Sequence, residues 1–138
     1  MNRTYLDANA IIYLLEGNEP FHSLIVSKLT SQMQSSEDVL LTSRLSRLEC
    51  RVLPLKNGNS QLLQIYEDFF SKDQLILAEL TGPVVDRACE LRVKYGFKTP
   101  DAIHLATAME FGASQFLTGD ARLKKCTELQ VDVLTEQT

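Results

Sequence analysis

The chain has only three cysteines, Cys50, Cys89 and Cys126, and no Cys-x-x-Cys pair among them. An odd, scattered set argues against a disulfide scaffold or a zinc site and for a reducing cytoplasm, with all three thiols serving as small buried hydrophobes. A long apolar run is also missing. The stretch Ala10 to Leu15 falls far short of the roughly 20 residues of a membrane span, and Met1-Asn2-Arg3 leads directly into Tyr5-Leu6-Asp7 with no targeting segment. A soluble cytoplasmic protein with no membrane partner is expected. Nor is there an excess of basic residues: 14 Lys and Arg against 18 Asp and Glu leave a net charge of −4. On its face this opposes nucleic-acid binding, because phosphate affinity ordinarily comes from Lys and Arg. A divalent cation held by carboxylates would answer the objection, since it occupies the acids and itself attracts phosphate.

What is present is an ordinary globular composition, 44% apolar and 23% charged, with no repeat or low-complexity segment. The 138 residues fit one domain, 1–138, long enough to bury a core without staples. Short apolar runs alternate with longer amphipathic ones. Thr4 to Leu6, Val39 to Thr42, Leu75 to Leu80, Gln115 to Thr118 and Val131 to Leu134 read as strands. Asn9 to Leu15 and Pro20 to about Gln34 read as helices broken near Gly17-Asn18. Ser43 caps a helix that Pro54 and Asn57-Gly58 end, and Ser60 starts another from Gln61 to Phe70. Pro83 opens a helix with Gly96 at its C-cap, and Thr99-Pro100-Asp101 opens one ending near Phe111-Gly112, with Thr99 as cap. Ala121 to Lys125 makes one or two helical turns. The alternation predicts an α/β fold, a three-layer α/β/α sandwich around a mostly parallel sheet. Ligands of such sheets bind beyond the carboxyl ends of the strands.

Four acids fall where that site would be. Asp7 ends the first strand; it reads as a helix cap, yet Asn9 competes for the same cap and leaves Asp7 partly unexplained. Glu49 flanks a stripe of Leu45, Leu48 and Val52 taken as core, away from Arg44, Arg47 and Arg51 on the solvated side. Asp101 has the plain reading of a helix-dipole acid, but shares the packed face of Leu105 and Ala108, where a carboxylate needs a cation or several donors. Asp120 follows Thr118-Gly119 after a strand and has a simple alternative as cap of the next turn. His104 borders the same face as Asp101 and is expected to be a hydrogen-bonded core residue that orients it. Lys98 and Arg122 lie near these acids in sequence, as ordinary surface charge or phosphate contacts.

At these residues the sequence resembles the PIN-domain family, and within it the VapC-type toxin ribonucleases of toxin–antitoxin pairs. Four segments carry the resemblance in the family's order: Tyr5 to Glu16, Ser43 to Glu49, Thr99 to Ala108, and Phe116 to Leu123. The family's four acids fall on Asp7, Glu49, Asp101 and Asp120, its small polar residue on Asn9, and its strand-ending hydroxyl on Thr118. The chain departs from the pattern at Gly119, where Asn is common, and at Ala8, where Thr or Ser is common; neither removes a carboxylate. The resemblance implies hydrolytic cleavage of RNA with Mg²⁺ or Mn²⁺, a homodimer, and inhibition by a small antitoxin whose tail enters the acidic groove. Asp7 and Asp101 would be direct metal ligands, with Glu49 and Asp120 coordinating directly or through water.

Two other classes compete. Receiver domains and haloacid-dehalogenase-like phosphatases place a phospho-acceptor Asp after a strand. Asp7-Ala8-Asn9, however, lacks the second Asp the phosphatases use, and no acidic pair precedes Asp7. A PIN-like fold serving only as a binding module is the non-enzymatic alternative; it accounts poorly for the retention of all four acids.

Overall fold

The apolar runs become the strands of a single sheet. In a computed structural model, which describes residues 1–135, these are β1 (Arg3–Leu6), β2 (Val39–Ser43), β3 (Leu75–Ala78), β4 (Gln115–Thr118) and β5 (Val131–Val133). The last three residues of the expected 1–138 domain lie outside the described residues. The strands lie in the order β3-β2-β1-β4-β5, with every pairing parallel. Thr4 pairs with Leu40 on one side and Gln115 on the other, so β1 is central. The chain builds outward through β2 and β3, then returns to the far side of β1 with β4. The strand order therefore reverses between β1 and β4, which opens a crevice at their carboxyl ends.

Among the described residues, six helices cover the sheet: α1 (Ala8–Glu16), α2 (Phe21–Gln32), α3 (Arg44–Lys56), α4 (Ser60–Phe70), α5 (Gly82–Tyr95) and α6 (Thr99–Glu110), with a 3₁₀ turn at Ala121–Lys125. Because strand side chains alternate faces, Tyr5 and Phe116 pack with Leu91 of α5 and Leu105 of α6, whereas Leu6 and Leu117 pack with Ile11, Cys50 and Tyr66 of α1, α3 and α4. The result is the three-layer α/β/α arrangement. Full burial of residues such as Leu105 and Phe116 contributes about 1.5–3 kcal/mol each. No described helix is long and apolar enough to cross a membrane.

Several local expectations are met by the chemistry proposed for them. The Ser43 hydroxyl accepts from the Leu45 N–H, and Gly96 takes the left-handed conformation, φ 76°, that closes α5. Others are corrected. Pro54 does not end α3, which continues to Lys56. Only one amide donor is lost there, close to the helix end, where Asn57, Gly58 and Asn59 close on the carbonyls of Leu53, Leu55 and Pro54. Lys98, not Thr99, is the cap residue of α6, and the Thr99 hydroxyl instead accepts from Arg92 at 3.0 Å. β3 stops at Ala78 rather than Leu80 because its partner β2 ends there, at Ser43. Cys50 and Cys126 are buried as expected, but Cys89 is exposed on α5.

The apolar stripe expected to bury α3 faces outward: Leu48 is 59% and Val52 53% exposed. The buried face is Ser46, Cys50 and Pro54. These small side chains let α3 approach α1 and β2 closely. The Cys50 Sγ lies 3.8 Å from the Ala8 carbonyl, and the Ser46 and Thr42 hydroxyls are 2.7 Å apart.

Candidate active site

Asp7 stands at the point where β1 gives way to α1. One carboxylate oxygen caps the helix, accepting from the Ala10 N–H at 3.0 Å; the other accepts from the Thr118 hydroxyl at 2.5 Å. The plain capping role is therefore real, but it engages only one oxygen. Asp7 is 6% exposed. Burial pushes its carboxyl above the ordinary range, against the opposing effects of the Thr118 bond and the neighbouring His104. Asn9 lies in the first turn of α1 and is exposed.

Glu49 reaches the same place from α3, where the close approach of the helix aims it inward. Its carboxylate meets His104 Nε2 at 2.6 Å. Arg44 and Arg47 pair elsewhere, with Glu79 and Glu67 at 2.7 Å each. Asp101 occupies the first turn of α6 and is half-buried. Burial, followed by the charge of Asp120, raises its carboxyl, while Arg122 and His104 oppose the rise. His104 is buried and reaches Glu49 and the Tyr5 hydroxyl, the latter at 2.7 Å, rather than orienting Asp101 as expected.

Asp7, Asn9, Glu49, Asp101 and His104 line one small cavity of about 60 Å³, with Ala8 as its remaining wall. Asp120 does not line it. It caps the 3₁₀ turn by accepting from the Arg122 N–H at 3.0 Å, and the Arg122 guanidinium clamps its carboxylate, the shortest contact being 2.5 Å. Those bonds hold its carboxyl below the ordinary range, assisted by Lys98. One link joins Asp120 to the cavity: its N–H donates to Thr118 Oγ1 at 3.0 Å, the same hydroxyl that donates to Asp7. Asp101 also borders a second notch of about 100 Å³, shared with Lys98, Arg122 and Lys125.

Among the described residues, no three Asp, Glu, His or Cys side chains are close enough to share one ion. The protein's own donors hold three of the acids: Thr118 on Asp7, His104 on Glu49 and Arg122 on Asp120. The donor set nonetheless suits a hard divalent cation. Carboxylate oxygens converge on one cavity, and the raised carboxyls of Asp7 and Asp101 mark negative charge that the protein leaves incompletely compensated.

Sequence reasoning overlooked Tyr5 and Lys125. Tyr5 had an available signal, because residues two apart on a strand share a face and Tyr5 precedes Asp7 by two. Lys125 had none, since only the packing of the 3₁₀ turn brings it to the notch.

A family model for the PIN domain matches residues 4–129. The chain belongs to the PIN domain family. This PIN domain is similar to a chain of VapBC2 from Rickettsia felis, solved bound to a DNA fragment from their promoter, with TM-score 0.77 and 15% identity over 96% of this chain and 99% of that one. It is similar also to DNA-bound VapBC from Salmonella typhimurium, with TM-score 0.75 and 15% identity over 98% and 100% of the two chains. Mycobacterium tuberculosis VapC20, a Sarcin-Ricin loop cleaving toxin, aligns with TM-score 0.70 and 15% identity over 90% and 95%. At such identities the likeness is one of fold. None of the curated proteins matches the chain by sequence. PIN membership sets aside the receiver and phosphatase alternatives.

Proposed function

We propose that this PIN domain, taken as one domain over residues 1–138, is an Mg²⁺- or Mn²⁺-dependent endoribonuclease and the toxin of a cytoplasmic toxin–antitoxin pair. The observation that carries the reading is the convergence of Asp7, Glu49 and Asp101 on one cavity at the reversal point of the sheet, with Asp120 tied to it through Thr118. Asp7 and Asp101 are the proposed direct ligands, with Glu49 and Asp120 ligating directly or through water, and Asn9, Thr118 and His104 positioning. Such an ion, when bound, polarises phosphoryl oxygens and makes water a better nucleophile.

The remaining roles belong to the chain's own residues. Thr118 and the Ala10 amide keep Asp7 oriented, and His104 keeps Glu49 aimed at the cavity. Lys98, Arg122 and Lys125 around the adjoining notch supply the phosphate attraction that the net charge of −4 lacks overall. A covalent route through Cys50 is disfavoured, because burial pushes its thiol up to about 12. The fold likeness to VapBC supports a small antitoxin as partner, and a second copy of the chain is proposed on the family resemblance alone. Leu48, Val52 and Leu55, exposed on α3, are apolar surface available to a partner.

The test is cleavage of a labelled RNA by the purified full chain. Mn²⁺ should stimulate it, and Asp7→Ala and Asp101→Ala should each abolish it. Cleavage surviving both substitutions would come from a contaminant, and the reading would fail. The binding-module alternative draws on the lack of a shared-ion geometry among the described residues; it predicts RNA or protein binding with no cleavage at any metal concentration.

A further inference from the structure

Tyr5 lies in the middle of the sheet, fully buried, stacked on Phe116 at 4.9 Å and edge-on to the His104 ring at 5.9 Å. A buried phenol needs a hydrogen-bond partner, and the Tyr5 oxygen lies 2.7 Å from His104 Nδ1. An ordinary phenol, with a pKa of about 10, keeps its proton at neutral pH, so Tyr5 has one to donate. On the other side of the ring, Nε2 faces Glu49 Oε1 at 2.6 Å. A carboxylate only accepts, so the proton in that bond belongs to Nε2. Glu49 itself sits on a helix edge with its side chain 31% exposed, free to sample other rotamers without this contact.

We propose that Tyr5 and His104 are positioning residues for Glu49. The tyrosine hydroxyl donates to Nδ1 and fixes the imidazole as the Nε2–H tautomer, and Nε2–H holds the Glu49 carboxylate at the cavity. The chain of contacts runs from the central strand through α6 to α3, joining three elements that meet only in the folded protein. It assigns Tyr5, which does not itself line the cavity but contacts the lining residue His104, a defined effect on an acid two hydrogen bonds away. The tautomer assignment stands on the geometry alone; its consequence for metal binding rests on the nuclease reading.

The tautomer is read from the ring-nitrogen spectrum of the full chain labelled with ¹⁵N-histidine, at about pH 8, above the ordinary histidine pKa of roughly 6.5. The chain has two histidines, so His22→Gln assigns the His104 signals. The expected spectrum shows Nε2 protonated and Nδ1 as an unprotonated acceptor, with Tyr5→Phe shifting Nδ1 and mixing the tautomers. A proton resident on Nδ1, or a spectrum unchanged by Tyr5→Phe, overturns the proposal.

The effect on Glu49 is read from Mn²⁺ titration calorimetry with the metal alone. His104→Leu should weaken binding about 10–100-fold, the usual cost of losing a residue that orients a ligand. Tyr5→Phe should weaken it less, and His104→Gln, whose amide restores an N–H toward Glu49, should recover much of the loss. Circular dichroism checks that each variant folds, and Tyr5→Phe keeps the test open if His104→Leu does not. Equal Mn²⁺ affinity in wild type, Tyr5→Phe and His104→Leu overturns the positioning role. A wild-type chain that shows the Nε2–H spectrum yet binds no Mn²⁺ overturns the nuclease reading instead and leaves the tautomer assignment established.

Discussion

Thr118 and Asp7 stand 111 positions apart in the chain and meet, hydroxyl to carboxylate, at 2.5 Å across the two central strands. The same Thr118 oxygen accepts the Asp120 N–H at 3.0 Å, so one side chain ties the first of the four candidate acids to the last. Replacement of Thr118 by Val keeps the shape and removes the donor. The Asp7 carboxyl, already raised by burial, should rise further. Metal-free stability should fall by about 1–3 kcal/mol, the cost of leaving a buried acceptor unpaired, and Mn²⁺ affinity by about tenfold. Urea unfolding and calorimetry measure the two losses.

The raised carboxyls of Asp7 and Asp101 set a direction for pH dependence in the presence of a chelator. Between the unfolded carboxyl value and the higher folded one, the folded chain binds more protons than the unfolded chain. Stability contributed by these two groups is thus present at low pH and lost as pH rises through that window. Asp120, whose carboxyl is depressed first by its bond to Arg122, acts in the opposite sense and loses stability as pH falls through its folded value. Asp7→Asn and Asp101→Asn should flatten the loss on the rising side. Melting curves across the acid range would show it, and a slope identical in all three proteins would contradict the assignment.

If Asp120 ligates a metal as proposed, Arg122 and the ion would compete for the same Asp120 oxygens. The Arg122 side chain is 63% exposed, although that of Asp120 is only 21% exposed, so with the cationic partner screened by solvent Arg122→Ala should change stability by about 1 kcal/mol or less. Two other effects should move in opposite directions. Mn²⁺ should bind a few-fold more tightly as Asp120 is released, while RNA should bind more weakly, its salt dependence flattening by about one unit of slope. Parallel metal and RNA titrations separate these outcomes from a general loss of folding.

Gly119 departs from the family's usual Asn for a reason visible in the packing. A Cβ there would sit 2.8 Å from Tyr13 Cε2 and 3.1 Å from its hydroxyl. Tyr13 is held against Phe21, ring to ring at 4.5 Å. Gly119→Ala should therefore overpack the strand end and cost about 1–3 kcal/mol. In a Tyr13→Ala background the same change should cost little, and a double-mutant cycle in urea would reveal the coupling.

The strands and helices were largely legible in the chain because their causes are local. Parallel strands covered on both faces read as short apolar runs, and Ser43, Pro83 and Gly96 mark helix ends through their own chemistry. The buried face of α3 was not legible. Periodicity singled out Leu45, Leu48 and Val52, but a helical wheel does not say how near the neighbouring element comes, and close approach selected Ser46, Cys50 and Pro54. The partner of His104 was misjudged for a related reason: its neighbours along α6 suggested Asp101, whereas Tyr5 and Glu49 arrive from other elements.

The sequence by itself determined the element types, the α/β class and the chain positions of Asp7, Glu49, Asp101 and Asp120, all properties of local pattern and spacing. Tertiary structure decided which acids share a cavity and which donors hold each of them. Asp7, Glu49 and Asp101 converge, while Asp120 is turned aside to Arg122. Strand register, helix approach and burial set those relations, and each depends on residues tens of positions away.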